Sequence, residues 1–198
     1  MPRSTSLLAA LILLLLPALS FAEASPRQFV RELVKEVRAA LEREDVQGAN
    51  ALFAGRFDME RFGRRCLIDH WDEFSGPERE TYVDLLGRNM RKRIGERMLF
   101  TKNDKDFSLV PKRIYRTEDD LLAVENTLRI KKGDFKLVFT LAREGGKYVL
   151  ADYELEGALL SRNYRGQFNY LIRKYGKEGF LAKLKDKTES PSGRVASN

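Results

Sequence analysis

The feature that most restricts the fold is a change of period. Between Phe107 and Tyr153 apolar side chains recur at every second residue, and from Leu160 onward at every third or fourth, so a run of strands hands over directly to a helix. Leu122, Val124, Asn126, Leu128 and Ile130 alternate with charged or small neighbours, as do Phe135, Leu137, Phe139 and Leu141. The last run sets Tyr148, Leu150 and Asp152 against Val149, Ala151 and Tyr153 and ends at Glu156-Gly157. Lys132-Gly133-Asp134 and Glu144-Gly145-Gly146 separate these runs and are short enough to force hairpins. Three consecutive strands are therefore antiparallel. Phe107 to Arg116 adds a fourth, which Pro111 bends or confines to an edge, because proline has no amide hydrogen for an inner ladder. Past the strands, Leu160, Tyr164, Phe168, Leu171 or Ile172, and Tyr175 fall on one helical face, and Gly176 can stop that helix.

The first half of the chain reads as helices. Ser25-Pro26-Arg27-Gln28 combines an N-cap, a proline at the first helical position and a capping-box partner. Phe29, Val30, Leu33, Val34, Val37 and Leu41 then form a stripe reaching Arg43, with Arg31, Glu32, Lys35 and Glu36 off it; a helix that covers a core accounts for the pattern. Asp58 caps a second helix, expected to run through Cys66 to His70-Trp71. Gly76-Pro77-Glu78 starts a third, with Tyr82, Leu85, Leu86, Met90 and Ile94 on its buried side. Helices, a meander, then helices make an α+β fold: an antiparallel sheet of about four strands, covered on one face by the amino- and carboxy-terminal helices. No internal repeat or second-domain linker is visible, so residues 23–185 are expected to form a single domain.

The ends of the chain set the compartment. Arg3, the apolar run from Leu7 to Leu19 and Ser20-Phe21-Ala22 read as an export signal over residues 1–22; the run is shorter than the roughly 20 residues a membrane span needs and is broken by Pro17. Residues 186–198 hold almost nothing to bury and are expected to be a disordered tail. The single cysteine, Cys66, has no partner for an internal disulfide and, beside Leu67 and Ile68, reads as a small buried apolar residue rather than a nucleophile. The formal charge of +7, or +6 once Arg3 leaves, favours anionic partners. Outside the cytoplasm these are lipid and protein surfaces, not nucleic acid.

Enzymatic signatures are missing from the sequence. There is no Gly-x-Ser-x-Gly, no phosphate-binding glycine loop and no pair of metal ligands, and His70 is the only histidine. Glu154 and Glu156 lie two apart near a strand end, where side chains face solvent more often than they form a catalytic pair. Neither catalysis, a metal nor a cofactor is expected.

Asp152, Glu156-Gly157, Asn163-Tyr164-Arg165 and Gln167-Phe168, in this order and spacing, resemble the carboxy-terminal signature of the MlaC family, the toluene-tolerance group of periplasmic phospholipid-binding proteins. Phe57-Asp58, Arg61 and His70-Trp71 match the family's amino-terminal pattern. The chain departs from the family at Tyr148, where Trp is usual, and at Ala158-Leu159, where a Val-Ser pair is usual. The resemblance implies a periplasmic carrier, expected to be monomeric, with phospholipid as its ligand. It also implies two partners: an outer-membrane lipoprotein complex and an inner-membrane ABC transporter with an MCE-domain subunit. Such a carrier needs no covalent step. Two tails of about thirty methylenes in all, at about 0.8 kcal/mol each, represent on the order of 24 kcal/mol of burial, which a cavity between sheet and helices must replace.

On this reading the cavity lining is Val124, Leu128, Phe135, Leu137, Phe139, Leu150, Leu160, Tyr164 and Phe168. The same residues serve equally well as solid core, and an ordinary apolar content does not separate the two. The alternative is thus a periplasmic interaction module with a filled core. Asp152, Glu156, Asn163 and Arg165 are the structural or headgroup candidates: Arg165 can pair with Asp152 or Glu156, locking strand to helix, or reach a phosphate, and locking is the favoured reading. Arg88, Arg91, Lys92, Arg93 and Arg97 line the third helix as either a solvated face or a docking surface. With no clustered headgroup motif, little headgroup selectivity is expected.

Overall fold

The structure, a computed structural model, describes residues 25–96 and 106–189. The expected export signal and most of the expected tail lie outside these residues. Side-chain caps fix where the helices begin. Ser25 Oγ accepts from Gln28 N–H at 3.1 Å to open α1 (Pro26–Glu42). Asp45 accepts from Gly48 N–H at 2.7 Å to open α2 (Val46–Ala54), and Asp58 from Arg61 N–H at 2.8 Å to open α3 (Met59–Cys66). At α4 (Gly76–Glu96) Glu78 accepts from both the N–H and the hydroxyl of Ser75, each at 2.7 Å, which holds its carboxyl below the ordinary value. Each cap satisfies an amide that a first helical turn leaves unpaired.

Two features of this half differ from the sequence reading. α2 was not anticipated. The helix capped by Asp58 ends at Cys66, short of His70-Trp71, because Leu67 O accepts from both His70 and Trp71 N–H and turns the chain into a 3₁₀ segment at Trp71–Glu73. The bend is what allows Leu67, Trp71 and Phe74 all to be buried.

The sheet has the order β1-β2-β3-β4-β5, with every neighbouring pair antiparallel. Its strands are β1 (Ser108–Arg116), β2 (Leu122–Ile130), β3 (Gly133–Glu144), β4 (Lys147–Leu155) and the two-residue β5 (Ala158–Leu159). β5 is an addition to the four expected; it forms because Glu156 and Gly157 take φ of 50° and 79°, the twist a two-residue hairpin needs. β1 is an edge, and its register shifts between Pro111 and Ile114, as a proline in that position requires. A second shift corrects the expected alternation of the last strand. Thr140 pairs with Asp152 but Leu141 pairs with Leu150, so Ala151 is an extra residue. Leu150 and Tyr153 therefore share the face of Leu141 and Phe139, and Asp152 turns to the other face beside Thr140.

The helices flank the sheet, and Leu33 and Val37 of α1, Phe62 of α3, Tyr82 and Leu86 of α4 and Phe168 of α5 (Leu160–Glu189) join Leu137, Phe139 and Leu150 of the sheet in one core. Gly176, expected to stop α5, breaks it instead: its φ of 69° and ψ of 179° belong to a region that side-chain-bearing residues avoid. The helix then resumes and brings Phe180 and Leu184 into the core. It reaches Glu189, past the boundary expected at Lys185. No described helix is long and apolar enough to cross a membrane.

Candidate functional site

α1 lies beside the edge strand without closing onto it. Arg27 Nη2 donates to Lys112 O at 3.2 Å and Arg38 Nη2 to Phe107 O at 2.7 Å. These two bonds tie α1 to the segment that forms β1, and between α1 and β1–β2 there is a cleft of about 550 Å³. Val30 and Val34 form its helical wall, and Leu109, Pro111 and Val124 its strand wall. Asn126 is buried in the same wall, donating from Nδ2 to Val124 O at 2.9 Å. Arg27, Arg31, Lys35 and Arg38 also line the cleft, and among the described residues no carboxylate does. A methylene needs about the room of a water molecule, roughly 30 Å³, so the space suits one acyl chain of roughly 18 carbons.

A second cleft of about 520 Å³, against α3 and α4, is lined by Glu60, Glu80, Asp84 and Arg79 with Trp71 and Val83. Three carboxylates make it a poor place for a lipid tail, which gains nothing from charged walls. The cleft under α1 is the better candidate on chemistry, not on size.

The residues expected to line a cavity fall mostly elsewhere. Val124 lines the cleft. Leu128, Leu137, Phe139, Leu150, Tyr164 and Phe168 are buried in the closed core, and Phe135 and Leu160 are partly buried against it. Tyr164 meets Phe62 edge-on at 5.8 Å and Phe168 at 5.3 Å, and Phe168 meets Tyr82 at 6.0 Å and Phe180 at 5.1 Å. Edge-to-face aromatic contacts of this density leave no room for a tail.

The polar candidates form a lock whose partners differ from those expected. Asp152, fully buried, accepts from Tyr153 N–H at 2.9 Å and Ser161 N–H at 3.2 Å, and its ion pair is with Arg65 Nε of α3 at 3.3 Å rather than with Arg165. Burial pushes the Asp152 carboxyl up, against hydrogen bonds from Ser161 and the charge of Arg65 that pull it down. Arg65 also pairs with Asp119 in the β1–β2 turn. Arg165 Nη2 donates to the carbonyl of Arg65 at 2.9 Å, at the carboxy-terminal end of α3 where carbonyls lack helical partners. Arg165 thus ties helix to helix, and Arg65 ties helix to strand. Glu156 ties the β4–β5 turn to β3, its carboxylate accepting from Lys136 N–H while its own N–H donates to Lys136 O. Asn163 is exposed.

Burial, reinforced by Asp152, pushes the Cys66 thiol well up, so a thiolate nucleophile is disfavoured. His70 Nδ1 sits 3.0 Å from Glu73 Oε1, and among the described residues no group of His, Cys, Asp or Glu could hold a metal. On α4, Arg88 pairs with Asp84 at 2.6 Å, and Lys92 Nζ donates to Lys187 O at 2.9 Å, near the carboxy-terminal end of α5. Lys92 is therefore tied into the fold. Arg91 is exposed; the side chain of Arg93 and all of Arg97 lie outside what the structure describes.

Comparison with known proteins bears on this geometry. The family model described as "MlaC protein" matches residues 28–186. Comparison with curated proteins finds no match. Among solved structures, a phospholipid-binding protein from Ralstonia solanacearum, in complex with a phospholipid, superposes with a TM-score of 0.69 at 18% identity, covering 84% of this chain and 97% of that one. At that identity the likeness establishes the fold.

Proposed function

Because the chain belongs to the MlaC family, we propose that it is a phospholipid carrier that holds an acyl chain in the cleft between α1 and β1–β2. The observation that carries this reading is the cleft itself: apolar walls, cationic edges and the volume of one tail. The structural neighbour's bound phospholipid adds support for lipid as the cargo. Burying one tail of roughly 16 methylenes stabilises the complex by on the order of 13 kcal/mol before ordering costs, enough to keep a lipid out of water during transfer. A second tail needs more space than the cleft has. Admitting that tail would require α1 to move away from the sheet, which its apolar contacts and the two arginine-to-carbonyl bonds oppose.

In this proposal the protein works in the periplasm after removal of its export signal. It passes lipid between an outer-membrane lipoprotein complex and an inner-membrane ABC transporter with an MCE-domain subunit. The chain acts by sequestration and performs no chemistry on the lipid. Native mass spectrometry of protein purified without added lipid tests the reading: one co-purifying phospholipid per chain is expected. A bare protein that also fails to take up phospholipid from vesicles would favour the filled-core interaction module instead.

A further inference from the structure

The cations along the cleft are arranged in a way the acyl chain does not explain. At about 100° per residue, Arg27, Arg31, Lys35 and Arg38 fall within one narrow arc of α1, adjoining the arc of Val30 and Val34, and all six line the cleft. Of the acids on the same helix, Glu32 accepts from Gln28 Nε2 at 3.0 Å, Glu36 pairs with Arg56, and Glu42, one turn beyond Arg38, is not part of the cleft lining. Arg27 and Arg38 are each anchored by one backbone carbonyl, but Arg38 Nε is buried and donates to nothing among the described residues. A buried guanidinium N–H without an acceptor is costly, and an anionic oxygen would satisfy it best. Arg31 and Lys35, between the anchors, are exposed and make no ion pair with any described residue.

We propose that this row is a binding site for the anionic phosphate-bearing headgroup of a lipid whose tail occupies the cleft, and that it makes the protein prefer net-anionic over zwitterionic phospholipid. The proposal rests on the carrier reading and adds a selectivity to it. A zwitterionic headgroup carries an ammonium beside its phosphate and needs an acidic partner for it. Among the described residues the cleft lining offers four cations and no carboxylate, so an ammonium is repelled where a phosphate is attracted. The site replaces the expectation of headgroup indifference. It escaped the sequence because cations off an apolar stripe read as a solvated face.

The test is competition. Delipidated protein is incubated with vesicles of phosphatidylglycerol and phosphatidylcholine of identical tails in equal amounts, and the lipid bound is counted by native mass spectrometry. The proposal expects phosphatidylglycerol to be favoured on the order of tenfold at low salt. That ratio should shrink at high salt, fall close to one in Arg31→Gln/Lys35→Gln, and persist in Arg31→Lys/Lys35→Arg. A wild-type ratio near one, or a ratio unchanged in the glutamine variant, overturns the proposal while leaving the carrier reading intact; failure of both lipids to bind overturns both. Should the glutamine variant fold poorly, the salt dependence of the wild-type ratio decides alone. Millimolar inorganic phosphate leaves the preference in place if the tail holds the headgroup on the row. Its erasure by phosphate would overturn the lipid assignment in favour of a free-anion site.

Discussion

The helical cover of this sheet is apolar throughout but differs from one flank to the other in side-chain type and in how it is filled. On one flank α3, α4 and α5, with the turn before α4, bring Phe62, Phe74, Tyr82, Tyr164, Phe168 and Phe180 into edge-on or tilted contact, and Gly63 admits Tyr82 so closely that an added Cβ would lie 2.9 Å from its ring. On the other flank α1 presents Val30 and Val34 to Leu109 and Val124 across a 550 Å³ cleft. Aromatic rings on three helices can close a space from several directions, whereas short aliphatic side chains on one helix beside a bulged edge strand cannot. On the proposed function, the packed flank carries more of the stability and the open flank is where the lipid is exchanged without dismantling the fold.

The largest expected effect follows from the packed flank. Phe180→Ala removes a fully buried ring and should cost about 3–5 kcal/mol by urea denaturation, whereas Val34→Ala, facing the cleft, should cost far less. Equal losses would erase the distinction between the flanks. Next in size is Arg65→Met, which leaves Asp152 buried without its counter-charge and should cost about 3 kcal/mol at neutral pH. The sign with pH follows from the raised carboxyl. A group whose folded-state value lies above its unfolded one supports folding fully below the unfolded value and loses that contribution as pH rises through the folded value. With Arg65 gone the upward shift grows, so the penalty of the substitution should shrink on acidification. A penalty that is the same at neutral and acid pH would remove Asp152 from the lock.

A smaller loss, about 1–2 kcal/mol, is expected for Arg165→Ala, equally with and without lipid, from melting curves of both forms. Normal stability of the empty protein combined with weakened phospholipid binding would move Arg165 from the packed flank to the ligand.

These contrasts also mark what the sequence could disclose. Periodicity located α1, α4 and strands β1 to β4, and Ser25, Asp58 and Gly76-Pro77-Glu78 announced three helix starts, because capping and pleating are local physics. α2 was missed: Val46–Ala54 mixes small residues with few large ones, so its cap at Asp45 had no apolar stripe to support it. The extra residue at Ala151 was invisible because an alternating string does not announce a bulge, and the error put Asp152 on the wrong face. Its partner Arg65 lies 87 residues away, a pairing no local pattern encodes. The cleft was the hardest feature to see. A stripe such as Val30, Val34 and Val37 says which side of a helix is covered, not how far away the cover stands, and Val37 closes into the core while Val34 lines open space.

The central claim is that the cleft under α1, and not the aromatic core, receives the lipid tail. The most direct measurement is phospholipid occupancy by native mass spectrometry in Val34→Trp, where an indole projects into the cleft and leaves the packed flank untouched. The account predicts a folded protein whose lipid-free melting temperature is close to that of the wild type and which carries little or no phospholipid. Wild-type occupancy in that variant would contradict it.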